Sequence, residues 1–398
     1  MSRPTRPRVG LLTYSTKPRG GVVHTLALAD HLAAAGVDAE VIALGDPAVG
    51  FFRPVAAPWR LIPKPPPAPT LERRVFAALD AMADGLRRLG PDLPPVLHAQ
   101  DCISARAAVR LRDEGAPVTV VRTVHHVDDF TTEALIDCQR RAIVEPDRVL
   151  VVSATWRQIV LDDYGVAAEV VPNGVDRARF AARPNRATVA RLRACAGADD
   201  DTFLLLAVGG IEPRKGSDHL VRAVARVGGL VDRRVMLAVI GGHSFQDHRW
   251  YRDRVLEGLP GLGLELGRDV VVLGTVDDEE LPTWYHAADA LAFPSVTEGW
   301  GLVVLEAMAA GLPVVATDIP VLREYVLPGR DALLVAPGDD AGLASAIARL
   351  AEDGDLRDGL AAAGRAVAAR YDWSASADRH AAVYASVTAG DHARTVGG

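Results

Sequence analysis

Short apolar runs, each closed by a glycine-rich turn and followed by a segment of helical periodicity, recur along the chain. Residues 8–14 (RVGLLTY) are predicted as a first strand, 17–21 as the loop after it, and 22–35 as a helix stopped by Gly36. Residues 39–44 then supply a second strand, so the chain opens as strand, loop, helix, strand, the start of a parallel sheet. An amphipathic helix follows at 71–89, a strand end and loop at 96–101, and a helix at 104–114. The next strand, 117–124 (PVTVVRTV), carries His125 and His126 at its carboxyl end; 149–153 is another, leading into a helix that ends near Tyr164. One stretch breaks the rhythm. Residues 51–70 mix Phe51, Phe52, Trp59, Arg53, Arg60 and Lys64 with seven prolines, which excludes regular structure throughout. Two readings fit it: a covering loop, or an acceptor-side or membrane-surface loop, since aromatics beside basic residues suit a lipid interface.

The second half repeats the scheme. Residues 203–208 (FLLLAV) form a continuous apolar run, as expected of a strand covered on both faces. Gly209 to Ser217 make its loop, with Arg214 and Lys215 at the tip, placed to neutralise a diphosphate or simply solvated. The strand at 235–240 runs into Gly241, Gly242, His243 and Ser244; that at 270–273 runs into 274–278; a helix at 279–287 and a strand at 289–293 follow. Terminal helices are predicted over 341–371 and 373–388, with a frayed end from Gly390.

Residues 294–317 (PSVTEGWGLVVLEAMAAGLPVVAT) hold the densest chemistry. A strand ends at Pro294, a Gly-Trp-Gly turn separates Glu298 from a helix starting near Gly301, and Gly311 with Pro313 ends that helix before a second strand. Unpaired amides and the helix dipole at Leu302 and Val303 favour an anion, and Gly299 and Gly301 would let a phosphate approach the main chain. Glu306 sits further along the helix, a carboxylate suited to accept hydrogen bonds from the hydroxyls of a ribose or hexose; Glu298 could do the same for a second polyol.

This stretch resembles the two-glutamate signature of retaining, nucleotide-sugar-dependent glycosyltransferases of family 4, with Trp300 where that pattern has Phe and Val303 where it has Pro. The resemblance implies an α/β architecture of two Rossmann-like domains facing across a cleft (GT-B), with the last helix crossing back to the first domain. It places the acceptor-side domain at 1–175 plus 374–390 and the nucleotide-sugar domain at 176–373, the junction lying at 171–176 (VPNGVD). It also implies roles: Gly20 and Gly21 beside donor phosphate and acceptor, His125 (in TVHH, similar to the family's T-x-H) reaching the donor sugar, and Lys215 on the diphosphate. The loop at Gly241 is expected to line the site, and the resemblance implies that the backbone near Val276 would meet the nucleobase edge. One departure stands out. The family's arginine after the first glycine is Gly210 here, and Arg214 is the candidate substitute.

A length of 398 residues suits two domains, and 49% hydrophobic residues with mean hydropathy +0.12 describe a globular chain. The net charge of −7 argues against general nucleic-acid binding. Cys102, Cys138 and Cys195 are too far apart for a zinc or disulfide framework, no apolar run is long enough to span a membrane, and no signal-peptide core is seen. A cytoplasmic enzyme is therefore expected, or one peripheral on the inner face of the membrane. The adjacent pairs Asp128-Asp129 and Asp277-Asp278 are not an Asp-x-Asp metal site, so no metal and no cofactor beyond a nucleotide diphosphate sugar co-substrate is expected. Two rivals remain. A two-domain dehydrogenase requires a GxGxxG that the chain lacks. A catalytically silent nucleotide-sugar-binding or scaffold protein gains some room from Gly210.

Overall fold

The computed structural model describes residues 8–242 and 247–395, with side chains described up to residue 388. The chain divides into two compact units, 1–174 with 373–398, and 175–372. Among the described residues no helix is long and apolar enough to cross a membrane, and the three cysteines are free thiols.

In the first unit seven strands run parallel: β1 (Val9–Thr13), β2 (Ala39–Gly45), β3 (Trp59–Pro63), β4 (Val96–Ala99), β5 (Thr119–Val124), β6 (Arg148–Val151) and β7 (Glu169–Val170). Their order is β3-β2-β1-β4-β5-β6-β7. The chain winds outward from β1 in one direction and then returns to add β4 on its other side, so the strand order reverses between β1 and β4. Ligands of doubly wound sheets bind outside the carboxyl ends of the strands at such a reversal. Every residue of β1, β2 and β4 is buried, the physical reason they read as mainly apolar runs, with Glu40 and His98 as buried polar exceptions.

The second unit repeats the plan with β8 (Phe203–Val208), β9 (Val235–Ile240), β10 (Val270–Gly274), β11 (Ala290–Phe293), β12 (Val314–Thr317) and β13 (Leu333–Val335), in the order β10-β9-β8-β11-β12-β13. Here the reversal falls between β8 and β11. Leu205 and Leu206 of β8 pair with Ala290 and Leu291, and an aliphatic core under the Ser217–Val227 and Asp340–Glu352 helices holds the sheet.

Helix starts follow local chemistry. Asp101 accepts from the Ser104 amide at 2.8 Å to open the Cys102–Asp113 helix, and Ser153 accepts from Trp156 at 3.2 Å to open Ala154–Tyr164. Asp101 also accepts from the Tyr14 amide at 2.9 Å, which ties the end of β1 to the start of that helix.

Residues 51–70 are irregular outside 59–63, where β3 forms an edge strand, with Pro63 closing it where no further ladder partner is needed. Two expectations change. The helix beginning at Trp373 continues to Thr395 rather than fraying at Gly390. The first helix starts at Gly20, so the glycine pair forms its opening turn and not a preceding loop.

Edge strand β3 is held down by the Leu71–Leu89 helix, and the contact is tight at one point. A Cβ on Gly85 would stand 2.4 to 2.6 Å from three carbons of Ile62. Helix propensity alone makes Gly→Ala stabilising by about 1 kcal/mol. Overpacking opposes it, so Gly85→Ala should instead lower stability by about 1–3 kcal/mol in urea unfolding, and shortening Ile62 to Ala in the same chain should recover part of the loss.

Candidate functional site

The loop after β11 and the loop after β8 meet at the strand-order reversal of the second sheet. Gly216 has a φ of +63°, and a Cβ there would lie 2.2 Å from the Pro294 carbonyl oxygen; only glycine lets the two loops close. The Val296 amide then donates to the Arg214 carbonyl at 2.9 Å. This clasp brings together residues more than eighty positions apart. Lys215 Nζ lies 2.6 Å from Glu298 Oε1 and 5.4 Å from the centre of the Phe293 ring, while Arg214 Nη1 lies 2.9 Å from the same carboxylate oxygen. The Glu298 side chain is only 10% exposed. Burial by itself would raise its pKa, but Lys215 and Arg214 outweigh it and hold the carboxyl at about 2. Glu298 is thus a permanent anion that accepts hydrogen bonds and does not trade protons near neutrality.

At Gly210, a Cβ would stand 2.8 Å from the Gly242 carbonyl and 2.8 Å from Glu212 Oε1. A side chain at position 210 would have to displace these neighbours, and Arg214 lies beside Lys215 on the same Glu298 oxygen. Gly241, at φ +153°, packs so closely that a Cβ would lie 2.4 Å from the Gly209 carbonyl group; its glycine serves loop packing. His243 and Ser244 lie outside the described residues. Val276 is half-buried in the loop after β10.

The Gly-Trp-Gly turn is held from beneath. Gly301 takes a φ of +87°, with the Tyr325 hydroxyl 3.0 Å from its Cβ position, so backbone geometry requires that glycine whether or not a phosphate approaches. Trp300 is buried, its ring 5.0 Å from that of Tyr325 and 5.4 Å from that of Tyr371, and its carbonyl accepts from the Tyr325 hydroxyl at 2.9 Å. Its side chain therefore anchors the turn rather than facing a ligand. Gly299, Leu302 and Val303 are half-buried at the mouth of the Leu302–Ala310 helix, whose first amides lack intrahelical partners.

Glu306 belongs to a different set. Its Oε2 accepts from the Tyr285 hydroxyl at 2.6 Å, and the Arg179–Asp278 pair, at 2.9 Å, acts on it electrostatically. Burial raises its pKa, opposed by the Tyr285 hydrogen bond and Arg179. Sequence reading missed Tyr285, Arg179 and Asp278 as partners, because each lies in an unremarkable segment and meets Glu306 only through the fold.

In the first unit, Gly20 and Gly21 open the Gly20–Ala34 helix without being needed there. Neither has a positive φ; a Cβ on Gly20 would meet nothing within 4 Å, and one on Gly21 only His125 Cδ2 at 3.8 Å and the Gln100 carbonyl at 3.9 Å. His125 Nε2 lies 3.0 Å from Gln100 Oε1, and its ring stands edge-on to His24 with centroids 4.6 Å apart. Burial first, then His24 and Arg122, holds its pKa well below the usual range, so the ring is neutral at pH 7. His126 is exposed, 3.4 Å from Asp128. Among the described residues no group of three or more His, Cys, Asp or Glu is placed to hold a metal ion.

His125 is the outermost of four packed imidazoles. His24 pairs with Asn173 at 2.8 Å; His98 bonds Tyr384 and Thr123, both at 2.7 Å; His380 bonds the Ser376 carbonyl at 2.8 Å. Burial lowers the pKa of His24 to about 3 and of His380 to about 4. The native state excludes protons that the unfolded chain takes up below about 6.5. Stability is therefore full above that pH and falls on acidification, each histidine contributing on the order of 1.4 kcal/mol per pH unit until its native pKa is reached. Urea unfolding between pH 4.5 and 7.5 should show this slope, and His380→Gln should reduce it by about one proton's worth.

The chain matches a family model described as Glycosyltransferase Family 4 over residues 18–179 and one described as Glycosyl transferases group 1 over 202–353. A D-inositol 3-phosphate glycosyltransferase of Acidothermus cellulolyticus is 31% identical, the alignment covering 96% of this chain and 90% of that one. Another, from Stackebrandtia nassauensis, is 31% identical over 75% of this chain and 71% of its own. Among solved structures, a sucrose-phosphate synthase from Thermosynechococcus elongatus superposes with a TM-score of 0.80 at 23% identity, covering 97% of this chain and all (100%) of the other. Anabaena HepE in complex with UDP and glucose superposes with a TM-score of 0.78 at 21% identity, covering 96% of this chain and 100% of its own.

Proposed function

The chain belongs to glycosyltransferase family 4 and is a glycosyltransferase, and on that premise we propose that it moves a hexose from a nucleotide diphosphate sugar to an acceptor hydroxyl with retention of anomeric configuration and without a metal. The observation that carries this reading is the buried Glu298 carboxylate held between Lys215 and Arg214 at the strand-order reversal of the second sheet. Relatives named for inositol 3-phosphate and a neighbour solved with UDP and glucose support a polyol acceptor and a nucleotide-linked donor.

Each residue then has a defined role. Lys215 and Arg214 carry two positive charges against the single charge of Glu298, leaving a net cation to meet the donor diphosphate. Bond cleavage at the anomeric carbon leaves negative charge on the departing diphosphate, and fixed cations with the Leu302 and Val303 amides stabilise that charge more in the transition state than before it. Glu298, ionised well below neutral pH, accepts hydrogen bonds from sugar hydroxyls; Glu306 does so for the ribose. Neutral His125 offers a hydrogen bond to a further donor-sugar hydroxyl, and Gly20 and Gly21 leave their amides open to close approach. Val276 contributes backbone next to the base. The acceptor hydroxyl attacks the face from which the diphosphate leaves, and its proton passes to the leaving phosphate oxygen. No side chain is needed as a covalent nucleophile.

Two measurements test this. A thermal-shift screen against UDP, GDP, ADP and TDP should single out one base, a ligand at a hundred times its Kd adding about 2.7 kcal/mol. Lys215→Ala should lower kcat/KM for transfer and for donor hydrolysis by about 10²–10³ with the fold retained, as should Glu298→Ala; wild-type rates in Lys215→Ala would refute the assignment.

A further inference from the structure

Glu306 takes a single hydrogen bond among the described residues, from the Tyr285 hydroxyl to Oε2 at 2.6 Å. The residue is half-buried, and its other oxygen, Oε1, carries no bond and is not sealed from solvent. Tyr285 is itself only 1% exposed. Burial, then the charge of Glu306, raises its pKa, so the phenol stays protonated and donates to the carboxylate. One oxygen of Glu306 is thus committed inside the fold and the other is left open.

Tyr285 is held in turn. Its ring stands edge-on to Phe180 with centroids 5.5 Å apart, and the Phe180 carbonyl accepts from Nε2 of the next residue, His286, at 2.8 Å. The Arg186–Ala196 helix ties down both ends of the Leu281–Ala287 helix that carries Tyr285: Arg191 pairs with Glu280 at 2.6 Å, and Arg193 donates to the Ala287 carbonyl at 2.8 Å.

Phe180 belongs to the short Arg177–Ala181 helix, and its neighbour Arg179 reaches the loop after β10. The Arg179 guanidinium pairs with the Asp278 carboxylate at 2.9 Å and also donates to the Asp278 carbonyl, so it grips side chain and main chain together just past Val276. The Asp176 side chain accepts from the Arg179 amide at 2.9 Å and fixes the start of the helix. One short helix therefore backs Tyr285, and through it Glu306, as well as the loop of Val276.

We propose that Tyr285 and Arg179 are positioning residues for the donor's nucleoside: Tyr285 holds Glu306 with one carboxylate oxygen presented to the ribose hydroxyls, and Arg179 holds the loop that meets the base. The inference rests on the nucleotide-sugar reading above and adds two residues to it. A carboxylate that turns freely loses that freedom when a ribose arrives, whereas one already fixed by a phenol is prepared beforehand and binds more tightly for it. Without the phenol hydroxyl, Oε2 lacks its donor, and the carboxylate divides its bonds between water and ribose.

Calorimetric titration of the intact protein with UDP, GDP and ADP, and with the 2′-deoxy and 3′-deoxy forms of whichever binds, tests this. In the wild type at least one deoxy form should bind about ten- to a hundredfold more weakly than its parent. Tyr285→Phe should weaken the parent about tenfold and shrink the deoxy penalty, because the oxygen facing the missing hydroxyl is no longer held. A merely structural tyrosine would weaken parent and deoxy form alike, so an unchanged penalty overturns the assignment of Tyr285. Arg179→Gln acts on the base side: it should weaken the parent about tenfold and keep the full deoxy penalty. Binding of the parent to Arg179→Gln at wild-type strength overturns the assignment of Arg179. Deoxy forms that both bind the wild type as tightly as their parent overturn the ribose contact while leaving the donor reading intact. Binding of none of the three diphosphates to the wild type would instead refute the donor reading, and this proposal with it.

Discussion

A carboxylate taken almost wholly out of water survives as an anion only if positive charge meets it at hydrogen-bond distance. Much of the second unit is arranged around that demand at Glu298. The φ of Gly216 and the contact it permits with Pro294 bring one loop against the other; the Val296–Arg214 backbone bond fixes their register; Trp300, Tyr325 and Tyr371 form the floor on which the turn rests. Remove either cation and the carboxylate must protonate or draw in water. The same electrostatics that secure the fold here leave a net positive charge at the edge of the sheet, so the stability of the turn and that surplus charge come from one arrangement.

The two acids of the 294–317 stretch look equivalent in one dimension and are opposites in three. Glu298 is pressed far below the ordinary carboxylate range by Lys215 and Arg214, whereas burial pushes Glu306 upward with a phenol as its direct partner. One is a fixed charge. The other is a hydrogen-bonding group whose charge responds to its surroundings, and the difference comes entirely from residues distant in sequence.

How much of this was legible beforehand follows from that contrast. The alternation of strand and helix and the parallel sheets were readable because buried parallel strands are largely continuous apolar runs and because the glycine turns are local chemistry; Lys215 and Glu298 each read as a site candidate, but their pairing with one another did not. Strand β3 escaped because its stabilising partners, β2 and the Leu71–Leu89 helix, are not encoded within 59–63, while the prolines around it are conspicuous. Trp300 read as part of a ligand-facing turn, yet no local pattern reveals that Tyr325 and Tyr371 will cover its ring. Histidine clustering was equally hidden: His24, His98, His125 and His380 carry no shared spacing, and only the sheet and the last helix bring them together.

That last helix has a consequence for how the molecule is made. The His98–Tyr384 hydrogen bond joins positions 286 residues apart, and the Ser376 hydroxyl donates to the Pro172 carbonyl across 204. A ribosome releases the amino-terminal sheet first, but the segment that covers its histidines emerges last. For most of synthesis the first unit therefore exists as an unfinished body with a row of imidazoles uncovered, while the second unit has all its own residues and can fold to completion ahead of it. The domain begun first is the one finished last.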